Sequence, residues 1–376
     1  MLVYNLNLVG VTLFAYLADR YSVRSPLSPR EGRRLPAAAF AVIVVLILTA
    51  VAGLRFDIGT DYINYCIIYS EVVDFGLSYS GLEGIEIGYL LLCKFLSYYT
   101  RQPFAMFFVC ALITNVCVVA EARRSAVSLT VACLVYIFSA LYMSTFNIVR
   151  QSLAVAIAFA GNRLLTERRM LPYLALIAFS MTVHTSMVIM IPVYFIVAKP
   201  AWSRTTVFMI IGTAVFFVLF GRFKDTLAFL SEGSRYSGIA EEKGGISLLR
   251  LAVTVPPLVP AFIWRKQLRE RAPHYDCYVN MYLISCLILV VSMNSIYFSR
   301  FGIFFQFYGI LLVPMYLKIG NRMKGAIITG AVLVFLAAYF FYQLILVNVD
   351  QANLLPYETL LSLPKDWGIV DRSMWH

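Results

Sequence analysis

The sequence predicts an all-α polytopic membrane protein with about 12 transmembrane segments. Three observations predict it. Of 376 residues, 61% are hydrophobic and only 14% charged, where a soluble chain carries about 25% charged residues. Apolar runs of span length recur from end to end. Lipid tolerates no unpaired backbone, so such spans are helices, and the alternation of barrel strands is absent. The third observation is the way charge sorts between the two sides.

The apolar runs are 2–18, 37–54, 103–120, 126–145, 147–165, 171–182, 185–198, 204–220, 247–264, 277–294, 301–318 and 325–345. Placing loop 19–36 inside and alternating sides puts 121–125, 166–170, 199–204, 265–276 and 318–324 inside as well. With Arg163, these segments hold 19 Lys and Arg against 6 Asp and Glu, leaving 12 and 14 outside. The formal charge of +11 thus resolves into +13 inside and −2 outside. The positive-inside rule accounts for the basic balance, and no nucleic-acid partner is expected.

Residues 86–99 are moderately apolar but short, and they carry Glu86 and Lys94. Counting them as a span would move Arg123, Arg124, Arg168 and Arg169 outside. They read as an amphipathic helix lying on the outer surface, as do residues 61–79. Both chain ends then lie outside. The chain reads as one integral-membrane domain, 1–376, with outer loops of about 55–102 and 221–246 and an outer tail of about 346–376. Inner loops are short and basic, so the site is expected to face outward. The first apolar run lacks a basic leader and a small-residue cleavage site, and reads as retained. Seven scattered cysteines without metal spacing read as small buried hydrophobes.

Runs 171–182 and 185–198 are too short to cross about 30 Å upright. They predict tilted or half-depth helices with His184 at the bend, a form that lines cavities.

The polar candidates gather on the outer side. Arg55, Asp57 and Asp61 follow directly on the second apolar run. Thr60 is placed to cap a helix, which would put Asp61, Tyr65 and Tyr69 on one face. Carboxylates beside tyrosines such as Tyr62 and Tyr65 suit hydroxyl-rich ligands. Arg150 and Gln151 open a span, where an arginine is costly unless paired or facing water, and its fork suits a phosphate. His184 is the one histidine outside an inner loop or the terminus, and imidazole serves as a base near neutral pH. Arg300 enters another span from the same side, with Phe304 and Tyr308 continuing its face. Arg235 and Tyr236 sit in the second outer loop. No His cluster or D-x-D points to a metal; Asp57 with Asp61 could hold one only loosely.

These pieces, in order, resemble the EpsG family of bacterial exopolysaccharide membrane proteins, related to the Wzy-type polysaccharide polymerases. They are Arg55-Phe-Asp-Ile-Gly59-Thr-Asp61-Tyr62-Ile-Asn-Tyr65, Glu86-Ile-Gly88-Tyr89, and Val149-Arg150-Gln151-Ser-Leu-Ala154. His184-Thr-Ser186 follows, running into Ile191-Pro192-Val-Tyr194-Phe195, then Arg300 before a span ending near Pro314, and Pro356-Tyr357 in the tail. Ser234–Gly238 also looks like a family loop. The resemblance implies a GT-C-like architecture in the bacterial inner membrane. It implies a glycosyltransferase that joins undecaprenyl-diphosphate-linked oligosaccharides on the outer face.

On that reading, a hydroxyl of one lipid-linked repeat attacks the anomeric carbon of another, and lipid diphosphate leaves. Arg150 and Arg300 are the first candidates for the leaving group, with Arg55 and Arg235 behind them. Asp61 and His184 are equal candidates for the base. Asp57, Tyr62, Tyr65, Gln151, Tyr236 and Tyr308 are expected to contact substrate. The scheme requires no cofactor and no metal. Membrane lipids, a chain-length regulator and export proteins are the expected partners. A lipid-linked oligosaccharide flippase and a glycan ligase are the alternatives.

Overall fold

The computed structural model describes residues 1–22, 34–230, 248–294, 297–347 and 354–359. Among them every regular element is helical, and one isolated β-bridge pairs Arg55 with Thr359. Five helices are long and apolar enough to cross a membrane: Leu2–Arg20, Pro36–Gly53, Phe104–Ser125, Phe298–Lys318 and Arg322–Ile345. A sixth arises if Leu129–Phe138 and Leu141–Asn147, bent by 52°, form one span. The chain is a multi-pass membrane protein. The other expected spans appear as shorter helices. The run 147–165, for example, divides into Val149–Ala160 and Asn162–Thr166.

The chain divides into two compact units, Met1–Ile191 with Ala338–His376, and Pro192–Ala337. The first contains α1 (Leu2–Arg20), α2 (Arg34–Gly53), α3 (Tyr62–Phe75), α4 (Ile87–Ser97), α5 (Phe104–Ser125), α6 (Leu129–Phe138), α7 (Leu141–Asn147), α8 (Val149–Ala160), α9 (Asn162–Thr166) and α10 (Met170–Met181). Helix α8 is its centre. Ser152, Ala154, Ala156 and Ala158 are all buried there. Such small residues let helix backbones approach where lipid removes the usual hydrophobic drive.

Charged residues tie the first unit together at one end. Asp19, at the end of α1, accepts from Ser128 Oγ (2.6 Å), Leu129 N (2.9 Å), Thr130 N (3.0 Å) and Thr130 Oγ1 (2.8 Å). It therefore supplies acceptors that the first turn of α6 cannot find within itself. Buried Glu121, near the end of α5, accepts from Ser125 Oγ (2.5 Å) and Asn162 Nδ2 (2.8 Å) and pairs with Arg124. These contacts join segments that the charge count sets on the inner side. Arg55 follows α2, and Phe107 and Phe146 lie near the other ends of α5 and α7.

The second unit gathers its basic segments in the same way. Asp276 accepts from Ala201 N at 2.9 Å and pairs with Arg269 at 2.8 Å. Arg271 donates to Gly320 O at 2.8 Å, and Lys324 lies 5.3 Å from the Trp264 ring centroid. The three segments 199–204, 265–276 and 318–324 therefore meet. Asn280 Nδ2 and Tyr275 Oη donate to backbone oxygens of Lys199 and Ala261 at 2.7 and 2.6 Å.

The surface-helix expectation fits the lengths. Helix α4 has 11 residues, about 16 Å at 1.5 Å per residue, too short to cross. It buries Tyr89, Leu90, Cys93 and Leu96 and exposes Ile87, Leu91 and Phe95.

Candidate functional site

Residues 54–61 form a tight loop at the end of α2. Asp57 has φ 47 and Gly59 φ 103. A side chain at Gly59 would meet Asn147 Oδ1 at 2.7 Å and Phe146 O at 2.9 Å. Glycine is thus required there twice, for its conformation and for close approach. Thr60 N donates to Asn147 Oδ1 at 2.8 Å, so the loop docks on the break between α7 and α8. The expected Thr60 cap does not form. Helix α3 begins at Tyr62, with Asp61 at the N-cap position and no side-chain cap, because Thr60 is drawn to Asn147.

Arg55 holds this loop from inside. It is 2% exposed. Its Nε donates to Ile58 O at 3.1 Å and its Nη2 to Phe146 O at 3.0 Å, while Nη1 donates to Ala52 O. Ala52 and Phe146 lie in the last turns of α2 and α7, where carbonyls lack helical partners and cations are favoured. The guanidinium also lies 4.6 Å from the Phe107 ring centroid and 5.1 Å from that of Phe146. Residues 354–359 cover the loop. Phe56 N donates to Glu358 O (3.0 Å), Thr359 Oγ1 to Leu54 O (2.9 Å) and Tyr357 Oη to Val51 O (3.0 Å).

Three elements distant in sequence converge beside this scaffold. Glu86, at the start of α4, places Oε2 2.5 Å from Arg150 Nη1 and Oε1 3.0 Å from Thr185 N and 3.2 Å from Thr185 Oγ1. His184 Nδ1 lies 3.1 Å from Oε1, off the axis of a linear hydrogen bond. Arg150 lies in the first turn of α8, with its backbone N 3.4 Å from Tyr65 Oη and its guanidinium 5.8 Å from the Tyr89 ring centroid. His184 is extended, between the end of α10 and the 3-10 turn Thr185–Ile189. Gly88 makes the approach possible. Its N donates to Thr182 O at 2.7 Å, and a side chain would meet Thr182 Oγ1 at 2.4 Å.

The electrostatics follow from this geometry. Burial pushes the Glu86 carboxyl up, but His184, the Thr185 N–H and the Arg150 charge outweigh it and hold it at about 2. Glu86 is therefore a fixed anion. Its side chain is 12% exposed, and those of Arg150 and His184 are each 21% exposed, so all three remain reachable. Arg150 Nε is buried without a hydrogen-bond partner, which leaves a donor beside the cluster uncommitted. Burial raises the carboxyl of Asp57.

The expected residues thus separate. Arg150, His184 and Tyr65 come together. Tyr62 is buried and stacked on Phe107 at 4.5 Å, and Tyr65 is buried against Tyr89 and Phe107. Asp61 is half-buried at the head of α3, where its charge bears on the Tyr65 phenol. Gln151 is buried in α8. Arg300 and Tyr308 belong to the second unit. Within the span Phe298–Lys318 the regular α-helix is interrupted after Gln306, and Tyr308 is buried against Tyr278 while Arg300 is exposed. Arg235, Tyr236, Ser234–Gly238 and the tail beyond 359 lie outside the described residues. Among the described residues, no group of three His, Cys, Asp or Glu is placed to hold a metal.

Sequence reasoning gave Glu86 no chemical role. Its carboxylate counted only against a span, and its partners lie 64 and 99 residues away. The sequence cue was Glu86-Ile-Gly88-Tyr89, in which the glycine two positions on permits the contact.

A model of the EpsG family matches residues 38–359. No curated protein and no solved structure matches. The match spans α2 to the Thr359 bridge and includes every residue of the Glu86 cluster, so the chain belongs to the EpsG family.

Proposed function

We propose that the protein is a polysaccharide polymerase of the bacterial inner membrane, a GT-C-like glycosyltransferase with 12 spans and an outward-facing site. It joins oligosaccharide repeat units carried on undecaprenyl diphosphate. The observation that supports this most is the single carboxylate of Glu86 set between Arg150 and His184. Family membership supports the exopolysaccharide context.

The acceptor hydroxyl attacks the anomeric carbon of the donor. A new C–O bond forms there as the bond to the lipid diphosphate oxygen breaks. The hydroxyl proton passes to His184 Nε2. Nδ1 lies 3.1 Å from Glu86 Oε1, close enough for the carboxylate to stabilise the imidazolium that forms. Arg150 stabilises the charge that builds on the departing diphosphate. Its pairing with Glu86 fixes its fork at a helix start. Asp61 remains the alternative base. Arg300 and Arg235 remain candidates for the leaving group. Arg55 we assign to the scaffold, since its donors are spent on three carbonyls.

The test is glycan length on the lipid carrier in the native host after Glu86→Gln, Arg150→Ala and His184→Ala. Single repeat units accumulating outside are expected. Repeat units trapped inside would instead indicate a flippase, and full-length chains left on lipid a ligase. Wild-type lengths from all three variants would refute the site.

A further inference from the structure

A cavity opens beside α7, between its bend from α6 and its break at Ile148. Its volume is about 110 Å³, and it is lined by residues of α7 and by Phe340, Gln343, Leu344 and Leu354. It is open to the surface on one side, so a larger ligand enters it in part.

Its walls are built from irregular backbone. Ala140, at the 52° bend between α6 and α7, has φ 60. Gln343 and Leu344 belong to a π-helical turn, Gln343–Val347. Interrupted helices of this kind are found where they line a cavity, and π turns concentrate at functional sites.

The lining has two characters. Phe340, Met143, Leu344 and Leu354 give apolar surface. Asn147 and Gln343 give amides. Asn147 Oδ1 is fixed by Thr60 N, so its Nδ2 is the free end, and among the described residues it has no partner. Gln343 Nε2 donates to Tyr339 Oη at 2.8 Å, leaving Oε1 as acceptor. One donor and one acceptor facing an aromatic ring suit a sugar, which carries hydroxyls at its edge and C–H groups on its face.

The depth of the cavity favours a sugar over a lipid tail. Leu354 O accepts from Tyr4 Oη at 2.9 Å, and Tyr4 lies in the first turn of α1. Tyr357, three residues on, bonds to Val51 in the last turn of α2. The cavity's Leu354 wall therefore sits beside the ends of two spans that charge sorting sets on the outer side.

We propose that this cavity is a second glycan subsite, holding one sugar of the oligosaccharide while the diphosphate end lies at Arg150. Asn147 and Arg150 stand on either side of the break at Ile148, so one element would position both parts. The identity of the glycan rests on the polymerase reading; the existence of the subsite does not.

The test measures binding rather than turnover. Full-length protein in nanodiscs is titrated with lipid-free repeat units released by mild acid from the host's lipid-linked pool. Asn147→Asp keeps the acceptor for Thr60 and replaces the donor with a charged acceptor. Gln343→Met keeps the volume and removes the amide. Each is expected to weaken binding about five- to tenfold, the worth of one hydrogen bond. Arg163→Ala, at an exposed arginine paired with Glu167, should bind like wild type. Equal binding by all variants, or no binding by wild type, overturns the subsite. Displacement of the oligosaccharide by undecaprenyl monophosphate that Gln343→Met abolishes would assign the cavity to lipid instead. Retained binding in a protein that makes no polymer would sink the polymerase reading and leave the subsite standing.

Discussion

Glu86 and Arg150 meet at 2.5 Å across 64 residues of sequence, and the same carboxylate reaches Thr185 N at 3.0 Å. One anion thus fixes both the start of α8 and the turn after α10. Replacing it with glutamine keeps the shape and removes the charge. Polymerisation by purified Glu86→Gln is expected to fall about 100-fold or more, in the range of a general acid–base contribution. Near-normal chain growth in a reconstituted assay would show that the anion is not needed.

The depressed Glu86 carboxyl makes a pH prediction. A group ionising near 2, against 4.5 ordinarily, adds stability above its unfolded pKa and loses it as pH falls through the folded one. The melting temperature of wild type should therefore drop more steeply than that of Glu86→Gln between about pH 5 and pH 2. Parallel melting curves across that window would contradict the ion-pair assignment.

Arg55→Met should be destabilising. Removing it leaves carbonyls of Ala52, Ile58 and Phe146 without donors in a buried setting. Leaving a buried acceptor unsatisfied costs about 1–3 kcal/mol. Thermal unfolding in detergent, read by fluorescence, measures the loss. Arg55→Lys should recover only part of it, since one ammonium cannot span three carbonyls in a planar fork. Full stability in either variant would show that the loop holds itself.

Gly88→Ala should misplace Glu86 without touching its chemistry. The added carbon would meet Thr182 Oγ1 at 2.4 Å and Thr182 O at 2.7 Å. Helix α4 must then shift, and the Glu86 contact to Thr185 with it. Activity should fall while most of the protein remains folded. Gly88→Ala restored by Thr182→Ala would leave the carbonyl clash in place, so only partial rescue is expected. Full activity in the single variant would place the Glu86 cluster outside the reaction.

Much of the architecture could be read from the chain. Apolar runs marked the helices, and basic segments marked one end of each unit, because both are local properties of composition. Arg150 and His184 were legible for a related reason: each is a polar group where an apolar run starts or breaks. Glu86 was not, since its meaning depends on partners brought by α8 and by the turn after α10. Arg55 looked like a ligand-binding arginine because sequence shows a charge but not the three carbonyls that surround it. The expected face Asp61-Tyr65-Tyr69 assumed a ligand side for the tyrosines. Packing claimed them instead, with Tyr69 Oη on Thr100 O at 2.8 Å.

The bridge between Arg55 and Thr359 has a consequence for biogenesis. Leu54 O and Val51 O are made some 305 and 306 residues before the hydroxyls that reach them. During synthesis, the covered form of this loop must wait until the chain has been made through Thr359. A chain halted after its last span would carry the Glu86 cluster but lack the segment that seals the loop beside it. Assembly order thereby becomes a safeguard, with the loop sealed only after the spans that precede Thr359 have been made.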